Sequence, residues 1–444
     1  MNALTDTIAA IATPPGRGGV GVIRISGPNV PLIATQILGA LPHARQAVLK
    51  PFKNEQGEVI DTGLAIYFAA PNSFTGEDVL ELQGHGGQVV MDMVLSAVLK
   101  EGARIAEPGE FSQRAFLNGK MDLAQAEAVA DLIEASTAQA ALSANRSLQG
   151  VFSKKIRALE HEMMELRMFV EAAIDFPEEE VDFLSEGHVL QKIEALLSQL
   201  YSLQQGAKKG QMLREGMSVV IAGLPNAGKS SLLNCLTQQE TAIVTPIAGT
   251  TRDLIKETIQ IDGIPLHIID TAGLRSNADV VEMEGIKRAK QQQTLADRIL
   301  LVVDATETLS EVENSILREH EHKVTLVMNK IDLKDLPPGE REGKIFLSAK
   351  SGQGMDALYA HLKTCMGFQG EESANFIARR RHLEALEKTL YHCLLAKQQL
   401  VEFKASELVA QELRFAQDFL GQIVGKVTTD DLLGKIFSSF CIGK

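Results

Sequence analysis

Residues 223–231 read GLPNAGKSS, and this short stretch decides the fold of the chain around it. It matches the pattern GxxxxGK[ST], follows the apolar run SVVIAG and precedes the helix-like run SLLNCLT. A strand, a glycine-rich turn and a helix in this order form a phosphate-binding loop, because successive backbone N–H groups can point at one anion. We therefore predict a nucleotide-binding α/β domain around this stretch.

Four further motifs follow it in chain order. They are GTTRD at 249–253, DTAG at 270–273, NKID at 329–332 and SAK at 348–350. One of these short patterns alone would be weak, but the whole series, with its strand-like runs, is typical of GTP-binding domains.

Each motif offers residue types that suit one part of the nucleotide. Lys229 should reach the β- and γ-phosphates, while the hydroxyls of Ser230 and Thr251 should bind Mg²⁺. Asp332 can accept two hydrogen bonds from guanine N1 and N2, a pair that adenine does not donate. The residues predicted to contact the nucleotide are Asn226, Ala227, Gly228, Lys229, Ser230, Ser231, Thr245, Pro246, Ile247, Ala248, Gly249, Thr250, Thr251, Asp270, Thr271, Ala272, Gly273, Asn329, Lys330, Asp332, Ser348, Ala349 and Lys350.

The composition limits what kind of protein this is. The chain has 444 residues, 45% of them hydrophobic, and a formal net charge of −13. Such an acidic chain does not attract nucleic acid through its overall charge, so we expect any RNA contact to be local or shared with a partner. The four cysteines are far apart, which argues against a disulfide framework. The N-terminus does not resemble a signal peptide, and no apolar run is long enough for a membrane segment. We therefore expect a cytoplasmic protein.

Three patterns of predicted secondary structure divide the chain. Residues 1–118 mix strand-like runs such as GVGVIRISG with glycine-rich turns, which predicts an α+β domain. Residues 119–214 and 371–444 have helical periodicity, whereas residues 215–370 alternate strands with helices, as parallel α/β sheets do. We predict a multidomain chain: an α+β N-terminal domain, an α-helical bundle domain in two parts, and a Ras-like P-loop α/β domain inserted between those parts.

Four longer segments carry a resemblance to one family. They read TPPGRGGVGVIRISG, FTGEDVLELQGHGG, PGEFSQRAFLNGKMDLAQAEAVADLI and, at the end of the chain, SSFCIGK. These segments are similar to the tRNA modification GTPases of bacteria and organelles, the MnmE or TrmE family. The resemblance implies a homodimer that works with a flavin-containing partner, MnmG or GidA. Together they would install an aminomethyl or carboxymethylaminomethyl group at C5 of the wobble uridine of certain tRNAs.

The resemblance also implies a tetrahydrofolate site in the N-terminal domain, which supplies the one-carbon unit from 5-formyltetrahydrofolate or methylenetetrahydrofolate. Carried over by motif, the folate residues are Arg24, Glu81, Lys120 and Lys444. Cys441 has two interpretations, either a small apolar residue in a docked tail or a thiol that acts near the folate or the uridine.

A leucine, Leu274, follows DTAG where a Ras-type GTPase has the glutamine that orients the attacking water. The resemblance implies that Glu282 orients this water and that potassium beside the phosphate loop performs the task of an arginine finger. The implied potassium ligands are Asn226, Thr245, Ile247 and Thr250.

Two other functions share part of the pattern. A GTP switch in ribosome assembly has the same nucleotide motifs, but such proteins usually add an RNA-binding module, and no GxxG-type clamp stands in a suitable helical context here. A folate enzyme with a regulatory GTPase domain is the other alternative. Gly16, Gly18 and Gly21 satisfy GxGxxG, but a strand-like run follows them where a dinucleotide site needs a helix, so we do not predict such a site.

Overall fold

The computed structural model describes residues 6–175, 186–239, 256–270, 290–366, 375–426 and 430–443. Its helices are α1 (Val30–Leu38), α2 (Gln88–Lys100), α3 (Glu110–Leu117), α4 (Leu123–Glu134), α5 (Ala138–Leu148), α6 (Val151–Asp175), α7 (Glu186–Glu215), α8 (Lys229–Gln239), α9 (Glu311–Glu319), α10 (Met355–Cys365), α11 (Arg380–Gln398), α12 (Ser406–Val424) and α13 (Asp430–Phe437). Shorter helical turns are the 3₁₀ turns Glu321–Lys323 and Ile331–Leu333 and the π-helical turn Gln399–Phe403.

The chain divides into two units. The first comprises Met1–Ala130, Leu148–Ile193 and Tyr391–Lys444, and the second comprises Asp131–Ser147 and Glu194–Leu390. Each unit is built on one β-sheet.

The first unit contains a six-stranded sheet in the order β3-β4-β5-β2-β1-β6. Its strands are β1 (Thr7–Ile11), β2 (Gly21–Ser26), β3 (Ala47–Lys53), β4 (Val59–Phe68), β5 (Val79–Gly84) and β6 (Ala103–Ile105). Neighbouring strands are antiparallel except β1 and β6, which are parallel. Because side chains alternate along a strand, Ile23, Ile25, Leu80 and Leu82 all lie on one buried face.

Helices α1 and α2 provide apolar residues for the same core. In α2, Met91, Val94 and Val98 recur at the three- and four-residue spacing of a helix face and join this core. On β1, Ile8 and Ala10 belong to a separate cluster with Phe111 of α3. Helix α3 therefore packs through Phe111 against β1, and the centre of the Phe111 ring lies 5.8 Å from the guanidinium of Arg24 on β2.

The helical part of the first unit is centred on α6 and α12, which pack against each other. Apolar residues at three- and four-residue spacing form a buried stripe along α6, in keeping with the helical periodicity of residues 119–214. It consists of Phe152, Ile156, Leu159, Met163, Leu166, Val170 and Ala173. This burial is the expected source of stability for an amphipathic helix of this length.

The second unit contains a seven-stranded sheet in the order β12-β13-β11-β10-β7-β9-β8. Its strands are β7 (Met217–Ala222), β8 (Lys256–Ile261), β9 (Ile264–Asp270), β10 (Arg298–Asp304), β11 (Val324–Asn329), β12 (Gly339–Arg341) and β13 (Lys344–Phe346). Strands β9, β7, β10, β11 and β13 run parallel, and the edge strands β8 and β12 are antiparallel to their neighbours. Buried residues such as Ile221, Leu232, Leu300 and Val327 form its core.

The predicted fold class is confirmed, with an α+β N-terminal region, helical segments and a P-loop α/β region. The strand that follows the GxGxxG pattern is β2, so this pattern does not begin a helix. The sequence analysis did not identify the edge strands β8 and β12. In β8 polar residues separate the apolar ones, and β12 has only three residues, Gly339–Arg341, without a large apolar side chain. Among the described residues, no helix is long and apolar enough to cross a membrane.

Candidate nucleotide and folate sites

The phosphate-loop stretch lies between the end of β7 and the start of α8. Its two pattern glycines are there for steric reasons, since Gly223 has a φ of 141° and Gly228 a φ of 95°. A Cβ at Gly223 would collide with the carbonyl oxygen of Val302, and a Cβ at Gly228 would collide with the side-chain amide of Asn329. Asn226 also has a positive φ, 62°, and its side chain is exposed. The loop therefore has the tight backbone curvature that a phosphate cradle needs.

Lys229 begins α8 and is largely buried. Its Nζ donates hydrogen bonds to the carbonyl oxygens of Gly223 and Leu224 at 3.0 and 2.7 Å. The ammonium group is thus held over the loop itself. Ser230 and Ser231 follow it in the first turn of the helix and are exposed.

Asn329, the last residue of β11, joins three of the predicted motifs. Its Nδ2 donates to the carbonyl oxygen of Ala227 in the phosphate loop, and its Oδ1 accepts from the backbone N–H of Ala349 in SAK, both at 2.9 Å. Only 2% of Asn329 is exposed. Because a buried amide that loses its partners is costly, this side chain fixes the NKID and SAK motifs against the phosphate loop.

The sequence analysis missed Asp304, which ends β10 beside the NKID motif. Its carboxylate lies 2.7 Å from Nζ of Lys330 and accepts two hydrogen bonds from Thr306. Burial alone would raise the pKa of Asp304, but the bonds from Lys330 and Thr306 outweigh it and hold this pKa at about 2. Asp304 therefore stays ionised and orients Lys330. The available signal was an aspartate directly after the apolar run RILLVV.

Three more predicted nucleotide residues belong to the NKID and SAK motifs. Asp332 lies in the 3₁₀ turn Ile331–Leu333 and is exposed, as is Lys350, whereas Ser348 is fully buried. Asp270 ends β9, where it pairs with Ile221 of β7. The other predicted nucleotide, metal and catalytic residues lie outside the described residues, as does Leu274: Thr245, Pro246, Ile247, Ala248, Gly249, Thr250, Thr251, Thr271, Ala272, Gly273 and Glu282.

In the first unit, Arg24 and Glu81 face each other across β2 and β5. Nη2 of Arg24 lies 2.9 Å from Oε1 of Glu81, and both side chains are more than four-fifths buried. The guanidinium also lies over the rings of Phe74 and Phe111, at 5.4 and 5.8 Å from the ring centres. A buried ion pair whose guanidinium contacts two aromatic rings is held in place and can hydrogen-bond a flat heterocycle.

The C-terminal tail reaches this pair. Nη1 of Arg24 donates to the carbonyl oxygen of Gly443 at 3.4 Å, so the tail lies beside two of the predicted folate residues. Lys444 lies outside the described residues. Lys120 is exposed, and its Nζ donates to the carbonyl oxygen of Pro71 at 2.9 Å. The structure thus brings Arg24, Glu81 and the tail together.

A buried ionic network adjoins this region and was not found from the sequence. Arg114 is 1% exposed, and its guanidinium contacts the carboxylates of Glu110, Asp6 and Glu77 at 2.9, 2.8 and 3.1 Å. Burial disfavours the charged guanidinium, but Glu110 and Glu77 outweigh this and raise the pKa of Arg114. The network fixes α3 against the start of β1 and the loop before β5.

Cys441 is exposed, and its carbonyl oxygen accepts a hydrogen bond from the N–H of Gly109 at 3.4 Å. The tail is anchored by Phe437 and Phe440, whose rings contact each other and pack in one cluster with Leu123. Burial raises the pKa of the Cys393 thiol to about 12 and also raises the pKa of Cys235 and Cys365. Of the four cysteines, all of which lie in the described part of the chain, Cys441 alone is exposed.

We expect Cys441 to react fastest when the native protein is treated with a thiol reagent at pH 8. The thiolate is the reactive form, and a thiol with a pKa of about 12 is ionised at pH 8 in only about one molecule in 10⁴. The Cys393 reaction should therefore stay slow until the pH approaches 12 or the protein unfolds. Absorbance of the released reporter gives the rates, and Cys441→Ser should remove the fast phase. A fast phase that persists in Cys441→Ser would contradict this assignment.

Comparisons with known proteins place the chain. The family model of the MnmE helical domain matches residues 123–441, and that of the GTP-binding protein TrmE N-terminus matches residues 7–120. The tRNA modification GTPase MnmE of Aeromonas hydrophila subsp. hydrophila is 56% identical over 99% of this chain and all of its own length. The chain belongs to the MnmE family of tRNA modification GTPases.

Other MnmE relatives match equally widely. The MnmE protein of Photobacterium profundum is 54% identical, and the match covers the full length of both chains. Among solved structures, Era of Aquifex aeolicus bound to GDP·AlF₄⁻ is 28% identical over 40% of this chain and 67% of its own, with a TM-score of 0.26.

Proposed function

We propose that this MnmE-family chain is a potassium-dependent GTPase that acts on tRNA together with the flavin-containing protein MnmG. The pair would convert C5 of the wobble uridine, position 34, to an aminomethyl or carboxymethylaminomethyl derivative with a one-carbon unit from tetrahydrofolate. The observation that carries the GTPase part is the pair of hydrogen bonds made by Asn329, which holds the phosphate loop, NKID and SAK together. Family membership over the full chain supports the tRNA part.

The residues of the second unit fit a nucleotide with Mg²⁺. The cradle leaves no room for a Cβ at Gly223 or Gly228, and the exposed hydroxyl of Ser230 at the start of α8 is a suitable hard ligand. In our proposal Lys229 binds the β- and γ-phosphates, Ser230 and Thr251 hold Mg²⁺, and Asp332 selects guanine. Phosphate oxygens would replace the loop carbonyls as acceptors for Lys229.

Potassium is proposed beside the phosphate loop, because Asn226 offers an exposed amide oxygen there. Thr245, Ile247 and Thr250 would complete the site. A cation in this position would offset the negative charge that develops on the phosphates during hydrolysis. Glu282 would orient the attacking water, a task that Leu274 cannot perform because it has no polar side-chain atom.

The folate site is proposed around the ion pair of Arg24 and Glu81. The Glu81 carboxylate can accept hydrogen bonds from the amino edge of a pterin, while Lys120 and Lys444 can pair with the glutamate tail of the folate. Cys441 is proposed to act beside this site, because the tail that carries it reaches Arg24.

The domain organisation of the proposal follows the sequence. Residues 1–118 would bind folate and dimerise, residues 119–214 and 371–444 would form the helical domain, and residues 215–370 would form the GTPase domain. We propose a cytoplasmic homodimer that contacts tRNA jointly with MnmG, in keeping with its net charge of −13.

We expect cells that lack the gene to lose the modified wobble nucleosides, and expression of the wild-type chain to restore them. Glu81→Gln should not restore them, because the amide lacks the charge that Arg24 and a pterin require. Mass analysis of tRNA nucleosides measures this outcome. Glu55→Gln is the matched control, since Glu55 is an exposed carboxylate paired with Lys100 in the same unit.

The same variants locate the defect. In a calorimetric titration with 5-formyltetrahydrofolate, Glu81→Gln should bind about tenfold more weakly, the loss expected for hydrogen bonds to a charged group. Glu55→Gln should bind like the wild type. Unchanged nucleosides in cells without the gene would refute the function, whereas wild-type folate affinity in Glu81→Gln would refute only the folate assignment.

A further inference from the structure

The β8–β9 hairpin connects the two chain segments proposed to contact the γ-phosphate and its metal. It starts directly after residues 240–255 and ends directly before residues 271–289. Its two-residue turn consists of Asp262 and Gly263, which have φ values of 51° and 81°. Strand β9 runs parallel to β7, and the turn precedes β9 whereas the phosphate loop follows β7. The turn therefore lies at the N-terminal ends of these strands, and the phosphate loop lies at their C-terminal ends.

Thr137 binds the turn of this hairpin. Its Oγ1 donates to the carbonyl oxygen of Gly263 at 2.7 Å and accepts from the N–H of Ala140 at 3.1 Å. One hydroxyl therefore caps α5 and holds the hairpin. The approach is close, since a Cβ at Gly263 would lie 2.9 Å from Cβ of Gln139. Thr137 is 5% exposed, so water does not readily replace these bonds.

Asp131 binds the chain at two points, one before the first strand of the seven-stranded sheet in the sequence and one after its last strand. Its Oδ1 lies 2.7 Å from Nε of Arg214, which precedes β7, and 2.7 Å from Nη2 of Arg379, which follows the last strand and α10. The Asp131 side chain is 3% exposed. Residues 131–147 therefore contact the rest of the second unit at three places: at Arg214 before β7, at Arg379 after α10, and at Gly263 in the hairpin turn.

A second contact links the hairpin to the end of α7, just before β7. The His267 ring in β9 lies 3.1 Å from Oγ1 of Thr258 in β8 and 3.1 Å from the carbonyl oxygen of Glu215, the last residue of α7. The two strands are thus held to each other by the ladder and by this ring. A shift at the phosphate end should move the hairpin as one body, including its turn.

We propose that Thr137 is a positioning residue for GTP hydrolysis and that its bond to Gly263 couples the nucleotide site to residues 131–147. This inference rests on the proposed GTPase function. With the turn held, Lys256 and Asp270 at the other end of the hairpin keep their positions relative to β7 and to the phosphate loop that follows it. Coupling between two sites is reciprocal, so the nucleotide state must also change the stability of α5.

The test compares Thr137→Val, which keeps the side-chain shape but has no hydroxyl, with Thr137→Ser, which keeps the hydroxyl. The control is Ser310→Ala, which removes the capping box of α9 in the same unit. We expect kcat for GTP to fall about threefold to tenfold in Thr137→Val, the factor for one lost hydrogen bond, while KM changes less than about twofold. Thr137→Ser and Ser310→Ala should retain at least about half of the wild-type kcat.

Hydrogen exchange distinguishes coupling from a simple loss of α5 stability, because a less stable α5 alone would exchange faster in both nucleotide states. In the wild type and in Thr137→Ser, exchange of the α5 amides should differ between the GDP and GDP·AlF₄⁻ states. In Thr137→Val this difference should disappear, although α5 remains helical. If Thr137→Val does not fold, Asp131→Asn is measured instead, because it weakens both arginine pairs and should also reduce the difference.

Three results would overturn the inference. One is a wild-type kcat and exchange difference in Thr137→Val, or in Asp131→Asn where it replaces that variant. Another is an equal loss of kcat in Ser310→Ala, which would mean that helix stability alone controls the rate. The third is a wild-type protein that does not hydrolyse GTP, in which case the proposed function fails together with the inference. If the wild type hydrolyses GTP and one of the first two results is found, only the inference fails.

Discussion

Asp332→Asn is expected to lower the affinity for GTP at least about tenfold, because two hydrogen bonds from guanine to a carboxylate are lost and such bonds contribute about 1.5–3 kcal/mol each. The amide also places an N–H group opposite the guanine N–H groups. Xanthine has a carbonyl where guanine has its amino group, so xanthosine triphosphate should bind Asp332→Asn better than GTP does. Asp332 is exposed on its turn, so the substitution should leave the fold intact.

Titration of both triphosphates into wild type and variant measures this change of preference. Asp335→Asn is a suitable control, since Asp335 is another exposed carboxylate three residues along the chain. Its φ of 53° is one that asparagine tolerates. If Asp332→Asn binds GTP like the wild type, guanine is not recognised by this residue.

Glu282→Ala is expected to reduce kcat for GTP by about a hundredfold or more, the usual scale for a lost group that acts in the transition state. Nucleotide affinity should change little, since the proposed role of the carboxylate is to orient the water and not to bind GTP. Replacing potassium with sodium should also slow turnover and weaken association of the GTPase domains. Ground-state GTP affinity should be nearly the same in both salts.

Steady-state GTPase assays in matched potassium and sodium buffers provide both measurements. Glu284→Ala is the control for Glu282→Ala, because it removes a carboxylate two residues away and should stay close to wild-type activity. Equal rates in the two salts would remove potassium from the mechanism. Full activity of Glu282→Ala would mean that another group orients the water.

The fold could be predicted from the sequence where the signal is local. The phosphate loop needs glycine at 223 and 228 because neighbouring backbone and side-chain atoms fill the space of a Cβ, and this requirement leaves a pattern in nine residues. The central strands are buried on both faces, so their apolar runs stand out. The edge strands β8 and β12 lack such runs, which explains why they were missed.

The contacts that join distant segments could not be predicted in the same way. Thr137 and Gly263 are 126 residues apart, and Arg379 and Asp131 are 248 residues apart. A single threonine or aspartate in a helical region has no local feature that names its partner. Asn329 was predicted to contact the nucleotide, but its bonds to Ala227 and Ala349 depend on the sheet that brings these three residues together.

The Arg114 network restricts how this part of the sequence can change over evolutionary time. Removing one partner of a buried ion pair leaves an uncompensated charge, which costs about 3–5 kcal/mol. That loss is a large share of the stability of an ordinary domain. A lineage that replaced Arg114 by an apolar residue would leave Glu77 without this ion pair and Glu110 with Arg104 as its remaining arginine partner. These residues should therefore be inherited as a group or replaced as a group, and single substitutions among them should be rare in living populations.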